Sequence, residues 1–372
     1  MTTFPAAAIG APLCAVDTPA LVLDLDAFER NLARMADAVR GKPVRLRPHA
    51  KSHKCPEIAR RQLALGAIGV CCQKVSEAEA LVAGGVADVL ITNEIVGAPK
   101  LERLARLARD ANIAVCVDDA QNAADLDAAS ARAGVQLAVL VEIDAGANRC
   151  GVEPGAPALA LAQKIAGSHN LKFAGLQAYH GGAQHLRSIG ERQAAIGRAS
   201  ALAAATRDLL AAHRISCDSI TGAGTGTFPL EMDSGVYTEL QPGSYIFMDA
   251  DYNRNESDAS WPHFEQSLFV LTTVMSRPTA GRAVVDAGLK ASSVDSGMPQ
   301  VWNLPGVEYL KASDEHGVLR VAAGAQAAAL GEKLMLVPGH CDPTVNLYDW
   351  FVGVRGGMVE ALWLITGRGA LL

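Results

Sequence analysis

The chain has 372 residues, a formal net charge of -6 and a hydrophobic fraction of 50%. This composition is typical of a globular protein with enough apolar material for a core, and the acidic balance gives no reason to expect nucleic acid or an anionic membrane as a partner. The first 16 residues lack the basic segment of a signal peptide, and no apolar run reaches the roughly 18 residues of a membrane span. We therefore expect a cytoplasmic protein.

Short apolar, β-branched runs alternate with alanine-rich segments that carry leucine at helical spacing. A strand over residues 20–24 and a helix over 27–39 come first. Eight further strands are predicted over residues 44–46, 67–72, 89–92, 114–117, 138–143, 173–178, 217–221 and 237–241. Helices are predicted between them over residues 56–65, 76–83, 98–110, 120–133, 156–166 and 192–213. This pattern predicts a TIM-type (β/α)8 barrel, an α/β fold.

One segment of the barrel does not fit the pattern. Residues 222–236 are glycine-rich and too broken for a full helix, so we expect an active-site loop there.

The pattern changes beyond about residue 258, where turns separate strand-like segments. These strands are predicted over residues 264–275, 282–287, 334–337, 350–354 and 359–365. We expect two domains: a barrel over residues 24–257, and a β domain formed by residues 1–23 and 258–372.

Eight cysteines lie at positions 14, 55, 71, 72, 116, 150, 217 and 341, without a C-x-x-C pair. Most are inside apolar segments. We predict reduced, buried thiols and no structural zinc site.

A cationic stretch, RPHAKSHK over residues 47–54, follows the first predicted barrel strand. A lysine at a strand end among positive charges can have a lowered ammonium pKa and act as an amine nucleophile. Our working hypothesis is that Lys51 forms a Schiff base. The alternative is a solvated basic turn before a helix.

Polar residues follow the other barrel strands as well, and in this fold the loops after the strands meet on one face. For Glu94 and Asp118 we prefer a capping or salt-bridging role. Arg149 follows a strand that ends in Glu142 and Asp144, and its charged fork could bind an anionic oxygen such as a phenolate. An Arg–Asp bridge that shapes the loop is the competing interpretation.

The loop TGAGTGT, residues 221–227, follows the seventh predicted strand. Its unobstructed backbone N–H groups and hydroxyls suit a dianionic phosphate, and this is where a barrel commonly binds one. The alternative is a flexible turn.

The segment PGHCDPT, residues 338–344, follows an apolar strand of the β domain. If the segment is extended, His340 and Asp342 point to the same side and can bind one divalent cation, while Cys341 points away. An H-x-D triplet also arises by chance.

Four of these motifs resemble a known group of proteins: RPHAK (47–51), CQKVSEA (72–78), GAGTG (222–226) and HCDPT (340–344). They resemble the D-threonine aldolase and D-3-hydroxyaspartate aldolase group of the alanine-racemase-like, or fold-type III, pyridoxal-phosphate (PLP) enzymes. The resemblance extends from about residue 17 to 368 and includes YTELQ (237–241) and DEHG (314–317). It implies an N-terminal barrel, a C-terminal β domain and a homodimer.

The resemblance also implies roles for individual residues. Lys51 carries PLP, and Lys54 should be replaceable without loss. Arg149 faces the phenolic oxygen, and Gln73 and Tyr179 border the ring. The phosphate is expected near Thr221, Gly222, Gly224, Thr225, Gly243, Ser244 and Tyr245. His340 and Asp342 are expected to hold Mn2+, Mg2+ or Co2+.

The implied reaction is cleavage of a D-3-hydroxy-α-amino acid to glycine and an aldehyde, with His180 or a hydroxide on the metal as the base. The nearest alternative is a dehydratase acting on D-serine or D-3-hydroxyaspartate; related dehydratases carry His-x-Cys where this chain has Asp342. A racemase would not need the metal, and a non-catalytic PLP carrier would not need the β domain. The sequence does not separate D-threonine from D-3-hydroxyaspartate, since the cations that could bind a β-carboxylate, Arg187, His185 and Arg254, are also typical of solvated loops.

Overall fold

The computed structural model describes residues 4–326 and 328–372. The helices are α1 Leu25–Val39, α2 Pro56–Ala64, α3 Val75–Ala83, α4 Ala98–Leu107, α5 Ala120–Ala133, α6 Ala156–Ala166, α7 Ile189–Ala212, α8 Phe228–Asp233 and α9 Cys341–Val345. The strands of the first sheet are β2 Arg45–Leu46, β3 Val70–Cys72, β4 Asp88–Glu94, β5 Asn112–Val117, β6 Leu137–Glu142, β7 Leu171–Gln177, β8 Ile220–Gly222 and β9 Glu239–Leu240. The strands of the second sheet are β1 Ala20–Asp24, β10 Leu268–Thr279, β11 Arg282–Val285, β12 Gln300–Val301, β13 Val307–Ala312, β14 Gly317–Val321, β15 Lys333–Val337, β16 Trp350–Arg355 and β17 Met358–Leu364.

The first sheet is a parallel barrel with the strand order β2-β9-β8-β7-β6-β5-β4-β3. Backbone hydrogen bonds join its two end strands, because Ile68 N donates to Leu46 O at 2.9 Å and Cys71 N donates to Pro48 O at 2.8 Å. The carboxyl ends of all eight strands therefore meet on one face. The predicted barrel with a C-terminal β domain is confirmed.

Local sequence signals set the helix boundaries around the barrel. The Asp24 side chain accepts from Ala27 N at 3.0 Å and starts α1, and Ser188 forms a capping box with Glu191 at the start of α7. Gly134 ends α5 in the left-handed conformation. The helices cover the barrel, so its strands are buried on both faces. Such strands are apolar along their length, and the barrel strands accordingly contain fully buried valines and leucines.

The second sheet has the order β13-β14-β11-β10-β1-β16-β17, with β15 pairing to β10 and β12. Strand β1 lies between β10, antiparallel, and β16, parallel. The chain thus starts in this sheet, passes through the barrel and returns to it. The sheet places the segment before α9 at the mouth of the barrel.

Some elements differ from the sequence predictions. The loop 222–236 contains α8, and α9 replaces the extended segment expected after Gly339. Strands β12, β13 and β14 were not predicted, because they are short or have exposed polar residues on alternate positions. Among the described residues, no helix is both long and apolar enough to cross a membrane.

Gly175, in β7, provides a test of the barrel packing. Its φ is 140°, and a Cβ added to it would lie 2.0 Å from Ser219 O. Gly175→Ala should therefore lower the free energy of unfolding by about 2 kcal/mol or more, measured by urea denaturation. The control is Gly197→Ala in α7, where an added Cβ meets nothing within 4 Å; it should stabilise the helix by up to about 1 kcal/mol. Equal midpoints for the two variants would contradict this account of the barrel.

Candidate active site

A cavity of about 330 Å³ opens at the carboxyl ends of the barrel strands. Its wall contains most of the residues expected from the sequence, and these are Lys51, Gln73, Arg149, Tyr179, Gly224, Thr225, Gly243 and Ser244. The wall also contains His185, which the sequence offered only as a possible cation for a β-carboxylate, and five residues that were given no role there: His49, Thr92, Gln177, Gln241 and Tyr252.

Lys51 lies in a short turn directly after β2, and its ammonium forms an ion pair with the Asp342 carboxylate. Burial alone would lower the pKa of Lys51, but the Asp342 charge and hydrogen bond outweigh it and the pKa is raised. The expectation that neighbouring positive charges lower the Lys51 pKa is therefore wrong for the free chain. Burial raises the pKa of Asp342, but Lys51 and His340 reverse the effect and hold it well below its usual range.

His340 is held by a second carboxylate. Its Nδ1 lies 3.0 Å from Asp249 Oδ2, and Asp249 is fully buried. The same carboxylate oxygen accepts from Cys341 N at 2.9 Å. A carboxylate on one ring nitrogen orients the imidazole and leaves Nε2 for a ligand, as in many metal sites.

The H-x-D triplet is only partly extended, because His340 is the extended N-cap of α9 while Cys341 and Asp342 lie in its first turn. Cys341 consequently does not point away from the site: its sulfur is 3.3 Å from Asp342 Oδ1. Ligand atoms of Asp249, His340 and Cys341 lie within 4.8 Å of one another. Two carboxylates, an imidazole and a thiol thus surround this part of the site, a donor set that fits a divalent cation.

His185 and Asp251 form an imidazole–carboxylate pair at the cavity wall. The two groups are 2.6 Å apart, from Nδ1 to Oδ2, and Asp251 is only 3% exposed. Arg187 and Arg254 bind the other carboxylate oxygen. The arrangement fixes the ring of His185 and leaves its Nε2 available.

His180, expected as the base, is not part of the cavity wall. Its ring packs on Gly146, where an added Cβ would lie 3.0 Å from His180 Nε2. Its Nδ1 is buried without a hydrogen-bond partner among the described residues. Burial, followed by the charge of Arg198, lowers the His180 pKa.

The loop after β8 has the features of a phosphate site. Gly224 must lack a side chain, because a Cβ there would lie 2.5 Å from Gln184 Oε1. The Thr225 hydroxyl is buried and has no hydrogen-bond partner among the described residues. Gln184 fixes the loop by accepting from Gly226 N at 2.9 Å and donating to Thr227 Oγ1 at 2.8 Å. An anionic oxygen facing the loop would give Thr225 its missing partner, so the residues fit the phosphate of PLP.

Three residues expected near the phosphate lie behind the cavity wall. The Thr221 hydroxyl accepts from Gln241 Nε2 at 2.6 Å, and Gly222 packs closely against Ala178 O. Tyr245 is 1% exposed, and its hydroxyl accepts from Gln62 Nε2 at 3.1 Å. These contacts support the wall rather than form it.

The cavity wall also contains an imidazole, His49, and a guanidinium, Arg149. Burial and the charge of Lys51 hold the pKa of His49 well below its usual range, so its ring is neutral. His49 Nε2 is 2.9 Å from Gln73 Nε2. The Arg149 guanidinium lies 5.7 Å from the centre of the Tyr179 ring, and its Nη2 is 3.7 Å from Glu142 Oε1. Its bridge is thus to Glu142 and not to an aspartate.

Lys54 has a structural partner. Its ammonium pairs with Glu77, and the two side chains are 9% and 3% exposed. Removing Lys54 would leave a buried carboxylate unpaired, which is strongly destabilising. Lys54 is therefore not the neutral control expected from the sequence.

Comparison with known proteins agrees with the fold and the site. The family model for "Alanine racemase, N-terminal domain" matches residues 23–251, and the model for "Putative serine dehydratase domain" matches residues 267–354. A D-threonine aldolase from Arthrobacter sp is 54% identical, over 98% of this chain and 96% of that protein. A 3-hydroxy-D-aspartate aldolase of Paracoccus denitrificans (strain Pd 1222) is 48% identical, over 95% and 92%. The crystal structure of D-threonine aldolase from Filomicrobium marinum matches with a TM-score of 0.97 at 54% identity, covering 99% of this chain and 100% of that one.

A barrel with a strand-end lysine, a glycine loop and a following β domain defines the alanine-racemase-like class of proteins. The identity and coverage place the chain more closely: it belongs to the family of D-threonine aldolase and 3-hydroxy-D-aspartate aldolase. The resemblance inferred from the sequence motifs is confirmed.

Lys51 can be tested as the point of PLP attachment. Lys51→Ala should abolish the visible absorption of lysine-bound PLP, because no other lysine lines the cavity among the described residues. Absorption spectra of purified protein with added PLP would measure this. The control is Lys42→Ala, an exposed surface change that should leave the spectrum unaltered. Retention of the visible band by Lys51→Ala would disprove the assignment.

Proposed function

We propose that the protein is a PLP- and divalent-metal-dependent aldolase that cleaves D-3-hydroxy-α-amino acids to glycine and an aldehyde. The observation that carries this proposal is the Lys51–Asp342 ion pair, which brings a carboxylate of the β domain to a lysine of the cavity wall, where His185 also lies. The 54% and 48% identities to aldolases support the same reaction.

Bound PLP supplies an electron sink for the carbanion left when Cα–Cβ breaks, and the divalent ion supplies positive charge for the substrate hydroxyl. The protein supplies position and proton transfer. Thr225 and the backbone of its loop would bind the phosphate, Lys51 would anchor the cofactor, and Arg149 would bond its phenolic oxygen.

We assign the base to His185 instead of His180. Asp251 accepts the Nδ1 proton, so the Nε2 lone pair of His185 faces the cavity and can take the proton of the β-hydroxyl. The buried carboxylate also stabilises the imidazolium that results. His180 lacks both the carboxylate partner and the position at the wall.

His340 and Asp342 would hold the divalent ion, with Asp249 orienting His340. In the free chain the Lys51 ammonium neutralises Asp342. PLP bound through Lys51 would use the nitrogen that pairs with Asp342 here, and the divalent ion would be a further cation beside this carboxylate. An imidazole and a carboxylate suit Mn2+, Mg2+ or Co2+.

We propose that both D-threonine and D-3-hydroxyaspartate are substrates. The three candidate cations, His185, Arg187 and Arg254, all bind Asp251. Two guanidiniums on one carboxylate leave an excess of positive charge beside the cavity, which favours a β-carboxylate without excluding a methyl group. We propose a homodimer, which rests on the resemblance, and a cytoplasmic location, which rests on the sequence.

The reaction class can be tested with D-threonine as substrate. We expect glycine and acetaldehyde in equal amounts from PLP-loaded protein with Mn2+, and no product after removal of the metal by a chelator. Formation of 2-oxobutanoate without glycine would establish a dehydratase. Comparing kcat/KM for D-threonine and D-3-hydroxyaspartate would then rank the two substrates.

The assignment of the base can be tested with a matched pair of histidine variants. His185→Gln should lower kcat by roughly 10²- to 10⁴-fold while the PLP spectrum is retained. His180→Gln should leave kcat close to that of the parent, because its ring packs outside the cavity. A large loss of kcat confined to His180→Gln would reverse the assignment.

A further inference from the structure

A second cluster of polar side chains lies at the ends of three adjacent barrel strands. Glu94 is the last residue of β4, Asp118 follows β5, and Cys150 lies in the loop after β6. Ligand atoms of these three side chains all lie within 4.8 Å of one another. None of the three lines the cavity described above, and the proposed reaction uses none of them.

Glu142, the last residue of β6, lies beside this cluster. Its side chain gives a second observation in favour of a bound ligand. Glu142 is 3% exposed, and its Oε2 has no hydrogen-bond partner among the described residues. Glu94 Oε1 is buried and unpartnered in the same way. Two buried acceptor oxygens without donors are costly, so either a proton or a cation must satisfy them.

The charge balance favours a divalent cation. Glu94, Asp118 and Glu142 contribute three negative charges when ionised, and Arg149 is the nearby cation, 3.7 Å from Glu142 Oε1. A shared proton joins only two oxygens, whereas a divalent ion can bind one ligand atom from each of the three side chains. With Cys150 as a thiolate, the ion compensates two of the three excess negative charges.

We propose that Glu94, Asp118 and Cys150 bind a divalent metal ion, with Glu142 as the carboxylate behind them. Two carboxylate oxygens and a thiolate favour a borderline ion such as Zn2+ over Mg2+ or Mn2+. The thiol of Cys150 loses its proton to solvent on binding. This site is separate from His340 and Asp342, and its donor set selects a different ion.

The ion would fix the loop that carries Arg149. Asp118 Oδ2 already accepts from Gly151 N at 3.0 Å, and Cys150 is adjacent to Arg149 in sequence. Asp144 stabilises the same loop by accepting from Gly146 N at 2.9 Å and Asn148 N at 3.0 Å. A metal that joins Cys150 to the ends of β4 and β5 would add a tie across three strands.

The experiment uses PLP-loaded protein stripped of metal with a chelator and then dialysed against Cd2+, a spectroscopic probe for Zn2+. The parent should bind one more Cd2+ per chain than Cys150→Ser, and that variant should lose the thiolate-to-cadmium absorption that Cys341→Ser retains. Two cysteine controls should keep the signal: Cys217→Ser, and Cys341→Ser beside the His340 site. Glu94→Gln, which removes a ligand without touching a cysteine, should lose the same Cd2+.

Equal Cd2+ content in the parent, Cys150→Ser and Glu94→Gln would overturn the proposal. It would also fail if the thiolate signal disappeared in Cys341→Ser and persisted in Cys150→Ser. An infrared band of a protonated carboxyl group that is lost in Glu142→Gln, in protein that binds no Cd2+ at the cluster, would show a shared proton instead. Thermal melting of each variant identifies misfolding, and Glu94→Gln decides the outcome if Cys150→Ser does not fold.

Discussion

The ion pair between Lys51 and Asp342 joins the two domains at the point where the chemistry is expected. Its members are 291 positions apart in the sequence, one in the barrel and one in α9 of the β domain. Neither domain alone would complete the site, since the barrel provides the lysine and the phosphate loop while the β domain provides the acid. The pair therefore links the lysine that is proposed to carry the cofactor to an aspartate that is proposed to hold the metal.

The short segment 249–251 orients the imidazoles of both His340 and His185. Asp249 binds His340, and Asp251, two residues later, binds His185. The segment is docked by its backbone, because Ala250 N donates to Pro338 O at 3.0 Å and Asp251 N donates to Gly339 O at 3.2 Å. Buried carboxylates behind functional histidines fix ring orientation and tautomer. A shift of this segment would thus displace the proposed base and the proposed metal ligand together.

The sequence was sufficient to place a residue at the cavity where that residue follows a barrel strand. Lys51, Gln73 and Arg149 each follow a recognisable strand of a barrel, and all three line the cavity. His185 could not be chosen over His180 by this reasoning, because the difference between them is the Asp251 carboxylate, 66 positions away. The helix that begins within the H-x-D segment could have been predicted, since Pro343 is compatible with the first turn of a helix.

The surroundings of Arg149 show how a long-range charge arrangement keeps a guanidinium available to the cofactor. Its nearest carboxylate, Glu142, is buried and faces Glu94, and both effects disfavour the ionised form of Glu142. A carboxylate that ionises reluctantly neutralises Arg149 only in part, whereas arginine stays charged at any accessible pH. Arg149 lies 52% exposed, beside the Tyr179 ring and the cavity. Arg149 therefore keeps the net positive charge that its proposed contact with an anionic oxygen needs.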